Sequence, residues 1–211
     1  MRLLRNGAPT ELFHGALAAE YKLGDSLLVI GAGPIGQMTV RWAKAAGVRD
    51  IIVVDPVGMR LDMALSGGAT AVIAKGASEC KDDVMAVLDG ALPRVVNDAT
   101  GHPDVFASAL GLAAQYGRVV ILGDTGTPGG QHLTSDVIMR GLTITGAHDG
   151  HNNDIWNNKT IAKYFFDLVL SGRFDVSGLI THSFCPEQAV DAYTVANTRR
   201  SETMGIQFAW V

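Results

Sequence analysis

The sequence predicts a doubly wound α/β fold, a parallel sheet with helices on both faces, followed by a short C-terminal α/β tail. Three observations carry this. Strand-length apolar runs alternate with helix-length amphipathic stretches from about Ser26 to Gly146. The first such pair is joined by a glycine-rich turn, VIGAGPIG at 29–36. The second run, DIIVVD at 50–55, is apolar almost throughout, as a strand covered on both faces requires, and it ends in an acid.

Taken in order, Leu12–Glu20 reads as a short helix, and Gly24-Asp25 turns the chain into a strand at Ser26–Ile30. Ile35, Met38, Thr39, Trp42, Ala45 and Ala46 recur at helical spacing, so Pro34–Ala46 is a helix with proline in its first turn and Gly47 at its end. Strands at Asp50–Asp55, Ala71–Ala74, Val95–Asp98, Arg118–Gly123 and Leu142–Gly146 alternate with helices at Met59–Ser66, Glu79–Leu88 and Asp104–Ala114. Trp42 and Phe106 fall on helices as core residues. The polar run AHDGHNNDIWNN at 147–158 marks a boundary. Beyond it come an amphipathic helix (Ile161, Tyr164, Phe165, Leu168), a short strand near Leu179–Ile180, a helix near Glu187–Thr198 and a last strand at Gly205–Trp210. The organisation expected is a lead-in helix at 1–24, a dinucleotide-binding domain at 25–150 and a tail at 151–211.

Composition narrows the function classes. A chain of 211 residues can bury a sizeable core, and 47% hydrophobic against 18% charged residues fits a globular domain. A net charge of −4 argues against a broad grip on nucleic acid. Cys80 and Cys185 are the only cysteines, too few for a disulfide scaffold or a four-cysteine zinc knot, and a reducing cytoplasm is the simplest setting. The N-terminus shows no signal-peptide pattern, and no apolar run is long enough to span a membrane.

The glycine spacing has physical reasons. Gly31 lets the chain turn sharply out of the strand, Gly33 keeps side chains away from a pyrophosphate, and Gly36 lets the helix sit close to the strand. The helix N-terminus offers free N–H groups and a positive dipole end to phosphate. Asp55 follows Gly36 by 19 residues, where a carboxylate can accept from adenosine ribose hydroxyls. It would repel a 2′-phosphate, which favours NAD over NADP, although Arg60 can reach the same edge. Two alternatives fit the same loop: a glycine-rich turn with no ligand, and a methyltransferase, which also has such a loop and acid.

Lys22–Gly47, IIVVD (51–55), the RL..A…GA pattern at 60–69, VVNDATG (95–101), GRVVILGDTG (117–126) and LTITGA (142–147) together resemble the coenzyme-binding domain of the medium-chain dehydrogenase/reductase family. That family includes zinc-dependent alcohol, sorbitol and threonine dehydrogenases. ITHSF (180–184), EQAVDAY (187–193) and MGIQFAW (204–210) resemble its C-terminal tail. The resemblance implies an NAD(H)-dependent oxidoreductase. Gly31, Gly33, Pro34, Ile35 and Gly36 would surround the pyrophosphate, and Asp55 and Arg60 the adenosine ribose. Thr100 and Gly101 would lie beside the adenosine half. Leu122, Gly123, Asp124, Gly146, Ala147 and His148 would set backbone groups against the nicotinamide. Where some members carry a C-terminal arginine on the pyrophosphate, this chain has Met204, which cannot make that contact.

The family's active site lies on an N-terminal domain with a cysteine ligand and a Gly-His-Glu motif. Neither has a counterpart here, so that domain and its zinc are expected to be absent from this chain. The alternative function is then a non-catalytic NAD-binding module acting with a partner. Phe165, Phe166, Phe184 and Trp210 would lose the surface that the family's tail packs on, leaving them to repack, meet another chain or stay exposed. The family's edge-strand pairing implies a homodimer through Asp136–Leu142. For His148, His151, Asp149 and Asp154 a polar boundary loop is a plainer reading than a metal site. His182 reads as a packing residue.

Overall fold

The computed structural model describes residues 8–210. Its main sheet has six parallel strands in the order β3-β2-β1-β4-β5-β6. They are β1 (Ser26–Ile30), β2 (Asp50–Val54), β3 (Ala71–Ile73), β4 (Val95–Asp98), β5 (Arg118–Ile121) and β6 (Thr143–Gly146). The order reverses between β1 and β4, which opens a crevice at the carboxyl ends of those strands.

Period-two alternation divides the core. Leu27, Val29, Ile51, Val53, Val95 and Val120 face one way, under α1 (Ala8–Ala19), α2 (Pro34–Ala45) and α3 (Gly58–Gly67). Leu28, Ile30, Ile52, Val54, Val96 and Val119 face the other, under α4 (Lys81–Val87) and α5 (Pro103–Gly111). Both sides are covered, so the strands carry apolar residues without a polar face.

A third cluster lies outside these layers. Trp42 on α2 packs edge-on against Phe13 and Phe174, with ring centroids 5.1 and 4.8 Å apart. It also meets Phe165 of α7 (Asn158–Leu170). Asn157 caps α7, accepting from the backbone N–H groups of Lys159 and Thr160 at 3.1 and 3.3 Å. Phe106 is buried as well.

This cluster decides among the outcomes expected for the tail aromatics, with Phe165 and Phe166 packed within the chain. Phe165 is buried, because α7 lies on α1 and α2 of the same chain and needs no second domain to cover it. Trp210 does remain exposed. The expected strand near Leu179–Ile180 lies further on, at β7 (His182–Phe184), which pairs with β8 (Ile206–Phe208) in parallel. His182 is half-buried and stacks on Phe184 rather than filling a core. After β7, a 3-10 turn leads into α8 (Ala189–Thr198).

Asp136–Leu142, expected as the pairing edge strand, is instead helical. Asp136–Arg140 forms α6, which ends at Gly141 with φ +61°. Arg140 explains the helix. It pairs with Asp136 one turn back at 3.2 Å and donates to Gly111 O and Ala113 O, tying α6 to the end of α5. The edge of the sheet on this side is β6, and β3 forms the other edge.

Candidate functional site

The site lies where the loops meet at the carboxyl end of the sheet, and the first loop is set by its glycines. Gly31 has φ +91° and donates from its N–H to Val54 O at 2.8 Å, which anchors the turn to β2. A Cβ on Gly36 would lie 1.9 Å from Gly31 O, so only glycine lets α2 start this close to β1. At Gly33 the opposite holds, because nothing lies within 4 Å of where its Cβ would stand.

No side chain caps α2, and its first backbone bond runs from Gln37 N to Gly33 O at 2.9 Å. The N–H groups of Ile35 and Gly36 lie ahead of that bond, and Pro34 has none to offer. The result is open space at Gly33 above an uncapped helix N-terminus with a positive dipole end.

Asp55 closes the loop from β2. Its Oδ2 accepts from Ala32 N at 2.7 Å and its Oδ1 from Val57 N at 2.8 Å, and only 5% of the residue is exposed. The carboxylate therefore holds the glycine loop as well as facing the crevice. Arg60 brings its guanidinium to 3.8 Å from Asp55 and donates to Arg200 O of the tail at 2.6 Å.

A cleft of about 420 Å³ opens beside this loop, lined by Gly31, Asp55 and Thr100 among others. Thr100 is set by Asp98, whose Oδ1 accepts from both Thr100 N and Thr100 Oγ1 at 2.9 and 2.7 Å. Burial pushes the Asp98 carboxyl above the usual carboxylate range, and the two Thr100 hydrogen bonds oppose that shift. Gly101 has φ +68°, and a Cβ there would meet Asp124 O at 2.2 Å. A Cβ on Gly123 would likewise meet Gly101 N at 2.2 Å. The loops after β4 and β5 are thus pressed backbone to backbone.

The remaining candidates sit further along the same sheet end. Leu122 N and Gly123 N both donate to Asp98 O, at 2.9 and 3.0 Å. Ala147 N donates to Ile121 O at 3.1 Å, which holds the end of β6 beside that of β5. Gly146 and His148 are exposed, and His148 pairs with Asp149 at 2.9 Å. None of these lines the 420 Å³ cleft. The candidates therefore run along the sheet end: residues 31–36, 55, 60 and 100 around the cleft and helix end, and 122–124 and 146–148 beyond β4, with Gly101 pressed against Gly123 and Asp124 between them. Met204 is buried and points no group at either.

The sequence alone does not single out Asp98, the loop Lys75–Ser78 that walls the cleft, or His14. The acid ending the fourth strand is a readable signal for Asp98, whereas nothing marks Lys75–Ser78. His14 is buried beside Gly15, whose own Cβ position lies 2.8 Å from Leu122. Its Nε2 has no partner among the described residues, and burial lowers its pKa. Among the described residues no three His, Cys, Asp or Glu side chains are grouped to hold a metal ion.

Residues 34–163 match the family described as zinc-binding dehydrogenase. The chain belongs to that family. An L-threonine 3-dehydrogenase of Bacillus licheniformis is 33% identical over 165 residues, 78% of this chain and 46% of that protein. The chain thus spans about half the length of such relatives. Among solved structures, an oxidoreductase/dehydrogenase of unknown specificity from Escherichia coli superposes with a TM-score of 0.83 at 26% identity, covering 97% of this chain and 57% of that one. An alcohol dehydrogenase from E. coli CFT073, solved with NADH, superposes at 0.78 with 24% identity, over 95% of this chain and 58% of that one, which speaks to the fold alone. Family membership sets aside the methyltransferase alternative that the loop and acid left open.

Proposed function

We propose that this chain is the coenzyme-binding part of an NAD(H)-dependent oxidoreductase of the alcohol dehydrogenase type, acting on an alcohol or carbonyl compound. The observation that carries the proposal is the open, uncapped N-terminus of α2 at Gly33, flanked by the Asp55 carboxylate. That arrangement suits a pyrophosphate on one side and ribose hydroxyls on the other.

In this reading Gly31, Gly33, Pro34, Ile35 and Gly36 hold the pyrophosphate. Asp55 and Arg60 take the adenosine ribose, and Thr100 and Gly101 flank the adenosine in the cleft. Leu122, Gly123, Asp124, Gly146, Ala147 and His148 present backbone to the nicotinamide. When bound, the dinucleotide supplies a ring carbon that accepts or returns hydride. The chain's own residues bind and orient it.

Asp55 favours NAD over NADP, since a 2′-phosphate would meet a like charge, and Arg60 at 3.8 Å softens that preference. The described residues do not fit zinc, which leaves polarisation of the substrate oxygen to groups outside them. Functionally, 25–150 is the coenzyme domain, 1–24 its lead-in and 151–211 the tail; residues 1–7 and Val211 lie outside the described residues.

A homodimer through the β6 edge fits the same reading. Ile138 and Met139 of the neighbouring α6 are 89% and 77% exposed, an apolar margin beside an edge strand paired on one side only. No helix among the described residues is long and apolar enough to cross a membrane, and a reducing cytoplasm suits the two free cysteines. NADH fluorescence tests the central reading. Saturable enhancement that is lost in Gly33→Val supports it, and emission unchanged by the protein refutes it.

A further inference from the structure

Three buried polar side chains on α2 are left unused by the coenzyme reading, Thr39 bonded to its own helix and Gln37 and Arg41 reaching beyond it. Gln37 is wholly buried, and Arg41 is 3% exposed. Gln37 Nε2 donates to Ala32 O at 3.0 Å and to Arg60 O at 2.7 Å. Its Oε1 accepts from an Arg41 Nη at 3.1 Å, and the same Nη donates to Gln37 O at 3.0 Å. Arg41 Nε donates to Asp175 O at 2.7 Å. One relay therefore ties three distant segments: the glycine loop at Ala32, the backbone of Arg60 beside Asp55, and the tail at Asp175.

Stability does not call for such an arrangement. A buried guanidinium carries a desolvation penalty, opposed here by the charge of Asp175, and replacing a whole buried polar network by apolar residues of similar volume is often neutral or stabilising. The fit is also close. A Cβ on Gly67 of α3 would lie 2.5 Å from the Arg41 Nη, so the guanidinium lies flush on the α3 backbone with no slack. The tail reaches the same edge a second time, where Arg60 donates to Arg200 O.

We propose that Gln37 and Arg41 are positioning residues that lock the glycine loop, Arg60 and the tail into one register, so that the tail sets the shape of the adenosine-pyrophosphate seat. This rests on the dinucleotide reading above. The relay touches no ligand; it acts through Ala32 and Arg60, whose backbones frame Asp55.

The test is titration of the purified chain with NADH and with ADP-ribose, alongside thermal unfolding, for wild type, Gln37→Glu, Arg41→Met and Gly67→Ala. In Gln37→Glu the new carboxylate would still face Arg41 but would set an oxygen against two carbonyls. Gly67→Ala favours the helix by propensity yet displaces the guanidinium. Kd for both ligands should rise about tenfold or more in each variant, the loss expected when buried hydrogen-bond partners are left unpaired. Arg41→Met leaves Gln37 Oε1 and the Asp175 carbonyl without a donor and should lower the Tm; at a temperature where the variant is still fully folded its affinity should nevertheless fall, a loss that a merely structural role would not produce. Wild-type affinity in all three variants overturns the inference, as does affinity that falls only in step with Tm. If the wild type binds neither ligand, the dinucleotide reading fails instead.

Discussion

Asp55→Asn tests how the site discriminates between coenzymes, because the substitution keeps shape and removes charge. In the structure both carboxylate oxygens accept backbone N–H groups, from Ala32 at 2.7 Å and Val57 at 2.8 Å. An asparagine can accept only one of them and turns an amino group toward the other. One charge-assisted bond, worth roughly 1.5–3 kcal/mol, is lost, and the survivor falls to about half its strength. The folded state should therefore lose about 2–4 kcal/mol, read from urea unfolding. NADH loses a charged acceptor for its ribose hydroxyls and should bind about tenfold more weakly. NADPH is relieved of a like charge while Arg60 stays in place, so the ratio of its Kd to that of NADH should fall at least tenfold. Fluorescence titration with both coenzymes measures that ratio. A ratio equal to wild type would refute the role given to Asp55, even if both affinities changed.

Gly33→Ala should leave stability within about 0.5 kcal/mol, since its Cβ meets nothing, yet weaken NADH at least tenfold. Gly36→Ala should destabilise by about 3 kcal/mol or more, because its Cβ would collide with Gly31 O, and thermal unfolding separates the two cases. Asp98 has its carboxyl pKa raised by burial, so its contribution to stability is fully present at low pH and lost as pH rises through the folded-state value. Asp98→Asn keeps an acceptor for Thr100 and removes the charge, so its Tm should exceed wild type at neutral pH and converge with it on acidification; a pH series of melting curves checks this. On the proposed dimer, the wild-type chain should sediment as a dimer and Ile138→Glu as a monomer whose Tm is that of the dissociated wild-type chain, since the side chain is exposed.

Much of the fold is legible because a parallel sheet writes itself plainly: apolar runs, helical periodicity and glycine punctuation agree from β1 to β5. The glycine loop is legible for the same reason: Gly31 and Gly36 answer steric demands, and Gly33 leaves open space above the helix end. Asp136–Leu142 is not. DVIMRGL is as apolar as an edge strand, and what makes it helical is Arg140 reaching the carbonyls at the end of α5, a contact no local pattern encodes. The fate of the tail aromatics is left open by the sequence, which does not show that Trp42, Phe13 and Phe174 surround Phe165 within the chain while Trp210 stays exposed. Gln37 and Arg41 are invisible because polar residues on a helix read as its solvent face. Here every residue from Gly36 to Ala43 is buried, with α2 covered by the sheet on one side and by α1, α3 and the tail on others. The cleft wall at Lys75–Ser78 follows a three-residue strand whose end carries no signature.

Calorimetric titration of the purified chain with NADH, NADPH and S-adenosylmethionine tests the central claim most directly. The account predicts micromolar binding of NADH, weaker binding of NADPH and none of S-adenosylmethionine. Absence of heat with either nicotinamide dinucleotide, from a chain that unfolds cooperatively, would contradict it.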